Sequence, residues 1–128
     1  MATFQCDHFH LRSLDPDKSA RFYEEMFGAK RVGTVDNAGK LRVIVDLGGM
    51  RLFIEQVPPG THAAPEPPYL GLEHIGLAVS GIDAIAAELK KKGAEFVVEP
   101  RSPQPGTRIA FIRGPENVRI ELIDRNAG

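Results

Sequence analysis

The hydrophobic and polar positions of this chain alternate over short stretches, which is typical of strands that bury one face. The first stretch predicts a strand from about Thr3 to Leu11. Its apolar side carries Phe9 and Leu11. The opposite side carries Phe4, Cys6, His8 and His10.

A helical pattern follows this strand. Asp15 is suited to cap the N-terminus of a helix, Pro16 to occupy its first position, and Gly28 to end it. The apolar residues between them recur at helical spacing and are Ala20, Tyr23, Met26 and Phe27.

Three further strands complete the first half of the chain. Residues 36–39 and 48–49 have the composition of tight turns, and they separate the three runs. The predicted strands lie near Lys30–Val35, Leu41–Leu47 and Arg51–Val57. The first half, about residues 1–57, is thus predicted to form a βαβββ module.

Residues 58–70 contain five prolines and are predicted to form an extended connector. The same order of elements then repeats over about residues 71–128. Ser80 and Asp83 have the spacing of a capping box for the second helix, and the proline-rich loop Pro100–Thr107 is expected to border the site. The predicted elements are Leu72–Val79, the helix Ile82–Lys92, Ala94–Glu99, Arg108–Ile112 and Val118–Ile123.

A repeated pair of side chains links the two halves. Glu55 follows His8 by 47 residues, and Glu121 follows His74 by the same 47 residues, so the pairs are offset by 66. Neighbouring apolar residues keep this offset, as in the match of Leu52–Glu55 with Val118–Glu121. The chain is therefore predicted to be an internal duplication.

Strand alternation places all four residues of these pairs on the face opposite the aliphatic residues. If the sheet curls, that face becomes a concave cup into which both His and both Glu point. Two imidazoles and two carboxylates suit one divalent ion such as Ni, Zn, Co, Mn or Fe, with open positions for water or substrate. A single strand His or Glu is more often structural, and the repeat favours the metal interpretation for His8, Glu55, His74 and Glu121.

Composition excludes several classes of partner. Lys and Arg number 16 against 17 Asp and Glu, so no strong field favours nucleic acid or an anionic membrane. The single cysteine, Cys6, excludes an intramolecular disulfide framework. No apolar run approaches the roughly 20 residues that span a bilayer, and the N-terminus does not resemble a signal peptide. We therefore expect a soluble cytoplasmic protein that acts on a small molecule.

Three segments carry a resemblance to a known family. The stretch HFHLRSLDPDKSARFYEEMFGAK (8–30), with EHIGLAV (73–79) and RIAFIRGPENVRIELID (108–124), resembles the vicinal oxygen chelate superfamily, which includes the glyoxalases, bleomycin resistance proteins and dioxygenases. The first predicted ligand stands seven residues before Asp15, as the family pattern requires. The resemblance implies a single α+β domain over residues 1–128, in which two tandem βαβββ modules form a curved mixed sheet cup with helices on its outer face.

Within the superfamily, the His/Glu/His/Glu set is most similar to bacterial-type glyoxalase I, a lactoylglutathione lyase. This implies isomerisation of a hemithioacetal of a 2-oxoaldehyde and a thiol through a metal-bound enediolate. Glu121 is then the first candidate for the catalytic base, with Glu55 as the alternative. Glutathione is the co-substrate that the resemblance suggests. However, Pro59 replaces the Asn that contacts it, and Gly114–Asn117 replaces the family's D-P-x-G turn.

Other functions stay open. A methylmalonyl-CoA-epimerase-like enzyme would use the same enolate chemistry on an acyl thioester, and an extradiol-type dioxygenase would use two His and one Glu. A bleomycin-resistance-type protein would bind a ligand without catalysis, which the complete set of four ligands disfavours. The resemblance also suggests a homodimer, and the connector allows each site to form within one chain or across two.

Several residues are weaker candidates for substrate contacts. Arg12 corresponds to an Arg that contacts a glutathione carboxylate in glyoxalase I, and His10 shares the face of His8, although a packed structural role is equally expected for His10. Strand alternation places Arg51, Phe53 and Arg119 on the same side as the predicted ligands. A joint metal site of Cys6, His8 and His10 is disfavoured because alternate strand residues lie about 6.5 to 7 Å apart.

Overall fold

The structure is a computed structural model that describes residues 2–127. The chain divides into two compact units, residues 1–62 and residues 63–128. Each unit contains one four-stranded mixed sheet and one helix longer than one turn, in the order βαβββ. The predicted α+β class and the paired βαβββ modules are confirmed.

The elements of the first unit are β1 (His8–Ser13), α1 (Pro16–Phe27), β2 (Lys30–Asn37), β3 (Lys40–Leu47) and β4 (Met50–Gln56). The order of the strands in the sheet is β1-β4-β3-β2. Strands β1 and β4 are parallel, and the other neighbours are antiparallel, because two tight hairpins join β2 to β3 and β3 to β4.

Helix α1 begins and ends as its sequence predicts. The Asp15 side chain accepts a hydrogen bond from the Lys18 amide, and Pro16 occupies the first helical position. Gly28 ends the helix with φ of 70°, in the left-handed region that glycine adopts readily. The helix contacts the sheet through Ala20 and Tyr23, and both side chains are buried.

The second unit repeats this arrangement with β5 (His74–Ala78), α2 (Ile82–Lys91), β6 (Glu95–Gln104), β7 (Gly106–Arg113) and β8 (Arg119–Ala127). The order of its strands is β5-β8-β7-β6. Its β7–β8 hairpin is longer: Arg113 and Arg119 form the closing pair, whereas Leu47 and Met50 close the β3–β4 hairpin. A short 3-10 turn at Pro115–Asn117 occupies the longer loop.

Helix α2 is capped differently from the prediction. No side chain caps it from its own turn, so the predicted capping box of Ser80 and Asp83 is wrong. Instead, Asp124 on β8 accepts hydrogen bonds from the amides of Gly81 at 2.9 Å and Ile82 at 3.2 Å. A carboxylate distant in sequence therefore satisfies the free amides at the start of α2.

Two boundaries in the sheets differ from the prediction. Strand β1 begins at His8 rather than Thr3, because its partner β4 begins at Met50 and its first pairing is between His8 and Arg51. The predicted loop Pro100–Thr107 is wrong, since β6 and β7 form one long hairpin across it. Three register shifts interrupt the pairing of β6, and such irregularities allow prolines inside a strand.

The core of each unit lies between its helix and one face of its sheet. In the first unit the buried sheet residues include Val43, Val45, Leu52 and Ile54, and in the second they include Ile112, Ile120 and Leu122. The remaining face of each sheet carries the polar candidates. Among the described residues, no helix is long and apolar enough to cross a bilayer.

Candidate metal centre

The polar face of β1 carries three of the residues singled out from the sequence. His8, His10 and Arg12 are exposed and alternate with the partly buried Phe9 and Leu11, as the strand period requires. The predicted placement of both histidines on one face is confirmed. Cys6, assigned by the sequence to the same face, is exposed and precedes the strand.

Phe53 organises the histidine end of this face. Its ring stacks on the His8 ring with a centroid separation of 3.9 Å and an angle of 6° between the planes. The Arg42 guanidinium lies 5.5 Å from the centre of the same ring, within the range of a cation–π contact. Phe53 thus restrains the His8 ring.

Glu55 takes part in a dense set of polar contacts within the first unit. Arg42 donates from Nε and Nη2 to Oε1 of Glu55, at 3.0 and 2.6 Å. Nε2 of His10 lies 3.1 Å from the same oxygen, and Asn37 donates to Oε2 at 3.3 Å. The hydrogen bonds from Arg42 hold the pKa of the buried Glu55 carboxyl below its ordinary value. Glu55 is therefore an anion with a cationic partner already in place.

The pairing of β1 with β4 sets this arrangement. His8 lies opposite Arg51, and Glu55 lies opposite Arg12, four residues further along β1. A strand rises about 3.3 Å per residue, so this step is about 13 Å along the sheet. The first unit therefore brings Glu55 to His10 rather than to His8.

The second unit brings its predicted pair together. His74 lies opposite Arg119, and Glu121 lies opposite Gly76, only two residues further along β5. Oε1 of Glu121 is 3.3 Å from Nε2 of His74. A Cβ added at Gly76 would lie 3.7 Å from Oε1 of Glu121, which is an ordinary van der Waals distance. Phe111 packs edge-on against the His74 ring at 5.1 Å.

The contact between His74 and Glu121 has the geometry of two ligands of one ion. Nδ1 of His74 contacts the Glu73 carboxylate, and a neutral ring that donates to Glu73 from Nδ1 has no proton on Nε2, which can then only accept. Two acceptors at 3.3 Å are stabilised by a cation between them, which is a proton or a metal ion. Ligand atoms about 2.1 Å from one ion lie about 3.0 to 3.4 Å apart, so the donor pair fits a first-row metal.

Each predicted histidine ligand has a carboxylate on its Nδ1 that the sequence reasoning missed. Oδ2 of Asp7 lies 2.6 Å from Nδ1 of His8, and Glu73 makes the equivalent contact with His74. These acids obey the same 66-residue offset, so the repeat itself contained the signal. Arg42 and Asn37 carried no such signal, because only strand pairing places them beside Glu55.

The remaining candidates have mixed surroundings. Arg12 and Arg51 are exposed, and His62 in the connector is exposed as well. Nε of Arg119 is buried without a hydrogen-bond partner. Within residues 2–127, no group of three or more His, Cys, Asp or Glu side chains lies close enough together to hold a metal ion.

Comparison with known proteins identifies the family. The family model of the glyoxalase/bleomycin resistance protein/dioxygenase superfamily matches residues 5–122. The chain belongs to this superfamily. The resemblance noted from the three sequence segments is thereby confirmed, and the two βαβββ modules are the superfamily's characteristic architecture.

Two relatives within the superfamily are lactoylglutathione lyases by name. The enzyme of Schizosaccharomyces pombe is 28% identical over 149 aligned positions, covering 98% of this chain and 49% of the relative. A probable chloroplastic lactoylglutathione lyase of Arabidopsis thaliana is 28% identical, covering 92% of this chain and 35% of the relative. The chain therefore spans half or less of the length of these relatives.

Solved structures of other superfamily members share the fold. A glyoxylase/bleomycin resistance protein/dioxygenase domain from Frankia sp. EAN1pec has a TM-score of 0.80 at 22% identity, covering 99% of this chain and 96% of that one. A fosfomycin resistance protein from Listeria monocytogenes, solved with Mn(II) and sulfate, has a TM-score of 0.73 at 17% identity, covering 96% and 93%. At such identities the likeness shows the fold alone.

Proposed function

We propose that this protein is a divalent-metal-dependent enzyme that isomerises the hemithioacetal of a 2-oxoaldehyde and a thiol, as glyoxalase I does. The observation that carries the proposal is the close approach of Nε2 of His74 to Oε1 of Glu121, at 3.3 Å. The lactoylglutathione lyases among the relatives support the reaction class. His8, Glu55, His74 and Glu121 are the proposed ligands.

A bound divalent ion would act as a Lewis acid toward the two adjacent oxygens of the substrate. The side chains of this chain supply the rest. His8 and His74 would be fixed ligands, since Phe53 and Phe111 pack against their rings. Glu121 would take the proton from the carbon beside the carbonyl and return it to the neighbouring carbon. Glu121 suits this role better than Glu55, whose carboxylate is held by Arg42.

The reaction is tested on protein stripped of metal with a chelator and then reloaded separately with Ni, Co, Mn or Zn. Each form is assayed with the hemithioacetal of methylglyoxal and glutathione, with that of a second thiol, and with a 2-substituted acyl thioester. We expect metal-dependent turnover of a hemithioacetal. The proposal fails if no metal restores turnover of either hemithioacetal, and turnover of the acyl thioester alone would instead identify an epimerase.

The role of Glu121 is tested by the substitution Glu121→Gln. The amide keeps an oxygen for the metal but cannot accept a proton, so we expect kcat to fall by about 100- to 10,000-fold while metal still binds. His62→Ala is the matched control, because His62 is exposed in the connector. Full activity of Glu121→Gln would exclude Glu121 as the base.

A second candidate function follows from the contacts of Glu55. If Arg42 retains Glu55 when metal is bound, the ligand set is two histidines and Glu121, as in extradiol dioxygenases and fosfomycin-type resistance enzymes. The Mn(II) in the Listeria relative is consistent with this candidate. Opening of a phosphonate epoxide by a thiol or water, in place of hemithioacetal turnover, would favour it.

A further inference from the structure

The residue before each proposed histidine ligand is acidic, and both acids contact the same ring atom. Asp7 precedes His8, and Glu73 precedes His74. Oδ2 of Asp7 lies 2.6 Å from Nδ1 of His8. The Glu73 carboxylate contacts Nδ1 of His74 in the same way, so the contact recurs in two separate units of the chain.

We propose that Asp7 and Glu73 are positioning residues that hold His8 and His74 in the Nδ1–H tautomer and so present Nε2 as the ligand atom. A neutral imidazole carries one proton, and the hydrogen bond that one nitrogen makes decides which nitrogen is bare. A carboxylate on Nδ1 keeps the proton there. It also raises the basicity of Nε2 and fixes the ring orientation.

The geometry of the second unit shows what this selection achieves. Nε2 of His74 faces Oε1 of Glu121 at 3.3 Å. In the Nδ1–H tautomer, a bare Nε2 and a carboxylate oxygen are therefore aimed at one point. With the other tautomer, Nε2–H would donate to Glu121 and close the space between the two atoms. Glu73 therefore keeps the pair open for a cation.

The two carboxylates are not equally constrained. The Asp7 side chain is 84% exposed, whereas the Glu73 side chain is 33% exposed. The Tyr69 hydroxyl also donates to the backbone carbonyl of Glu73 at 3.1 Å, which restrains the segment before β5. His8 has a second support in its stacking on Phe53. We therefore expect the loss of Glu73 to have the larger effect.

The tautomers are read directly by nitrogen NMR of histidine-labelled, metal-free protein at pH about 8.5, where free imidazole is neutral. We expect Nδ1–H for both His8 and His74 in the unaltered protein. Glu73→Ala should shift His74 toward Nε2–H, and Asp7→Ala should shift His8 by less. Glu73→Gln keeps an acceptor oxygen and should preserve the tautomer. Glu88→Ala, on the exposed side of α2, is the control.

A predominant Nε2–H form of His74 in the unaltered protein would overturn the proposal, as would an unchanged tautomer in Glu73→Ala. A second measurement, of Zn affinity, rests on the proposed function. Glu73→Ala should weaken Zn binding by about 10- to 100-fold, whereas Glu73→Gln should bind Zn with nearly the affinity of the unaltered protein. If the unaltered protein binds no metal, the proposed function fails, whereas the tautomer measurement still decides the role of Glu73.

Discussion

At the scale of single residues, the two units use carboxylates in three distinct ways. Oε1 of Glu121 faces Nε2 of His74, and the Glu55 carboxylate forms an ion pair with Arg42. Asp124 is buried and accepts backbone hydrogen bonds at the start of α2. The same acidic group is thus a candidate ligand, an ion-pair partner or a helix cap, depending only on the groups that surround it.

Asp124 makes the stability of the second unit depend on pH. Hydrogen bonds from the amides of Asn126, Ile82 and Gly81 hold the pKa of Asp124 below its ordinary value of 3.8. Its contribution is therefore complete above the unfolded pKa and is lost as the pH falls through the lower folded pKa. We expect Asp124→Asn to lower the urea midpoint at pH 7, and we expect a smaller difference between the two proteins at pH 3, which lies below the unfolded pKa.

Urea unfolding of both proteins between pH 7 and pH 3 measures this dependence. Asp83→Asn is a suitable control, because Asp83 lies at the same helix end but is paired with Arg108 at 2.8 Å rather than with the helix amides. A destabilisation of Asp124→Asn that is the same at every pH would exclude the carboxylate charge as its cause.

At the scale of elements, the sequence was informative where local chemistry decides the structure. Asp15, Pro16 and Gly28 delimit α1 because capping and left-handed termination are local effects. The cap of α2 was not predictable, since Asp124 reaches it from another strand. The strand that replaces loop Pro100–Thr107 was missed for a related reason, because pairing with β7 overrides the turn propensity of the prolines.

The sequence predicted which face of a strand each candidate residue occupies, but it did not predict which side chains of neighbouring strands lie beside it. Alternation placed His8, His10 and Glu121 on the polar faces correctly, because the period of a strand is local. The partners of Glu55 depend on the register of β4 with β1 and β3, where Arg42 and Glu55 are direct neighbours. A single sequence does not specify such a register.

The pairing of β3 with β4 leads to a test of Glu55 as a ligand. If Glu55 leaves Arg42 to bind metal, the substitution Arg42→Met removes a competitor, and we expect Zn to bind at least about tenfold more tightly, roughly 1.4 kcal/mol. The gain should disappear in the Arg42→Met, Glu55→Gln double variant. Competition titrations with a chromophoric chelator measure these affinities.

Arg31→Met is the matched control for Arg42→Met, because Arg31 binds the carboxylates of Asp17 and Glu24 on α1. Unchanged Zn affinity in Arg42→Met would argue against Glu55 as a ligand and would favour the set of two histidines and one glutamate. A gain that persists in the double variant would reflect only the lost positive charge of Arg42.

At the scale of the whole molecule, the duplication gives each unit one His and one Glu of the proposed ligand set. These residues are His8 and Glu55 in the first unit and His74 and Glu121 in the second. The superfamily model spans both units, since it matches residues 5–122. The predicted homodimer stays a prediction, which sedimentation equilibrium with and without metal would test.

If both units contribute ligands, as we propose, metal should stabilise the chain only when both histidines are intact. Free Zn at about 100 times its dissociation constant adds about 2.7 kcal/mol to the stability of a protein that binds it only when folded. We expect the melting temperature to rise with Zn and this rise to be lost in both His8→Ala and His74→Ala. Differential scanning calorimetry measures it, with His62→Ala as the control.

Retention of the full Zn-dependent rise in either His8→Ala or His74→Ala would mean that the ion is bound without that histidine. A rise that is lost in His62→Ala would assign the effect to a binding site in the connector instead.

The position of the Glu relative to the strand partner of the His differs between the β1–β4 and β5–β8 pairs, and this difference has a consequence for how a duplicated protein evolves. Duplication of a coding segment copies intervals along the chain, whereas chemistry depends on positions in space. In both units the Glu follows the His by 47 residues along the chain. Glu121 nevertheless lies two residues beyond the strand partner of His74, whereas Glu55 lies four residues beyond the strand partner of His8. Insertions and deletions in hairpins can therefore give a copied carboxylate new neighbours before any copied side chain is replaced.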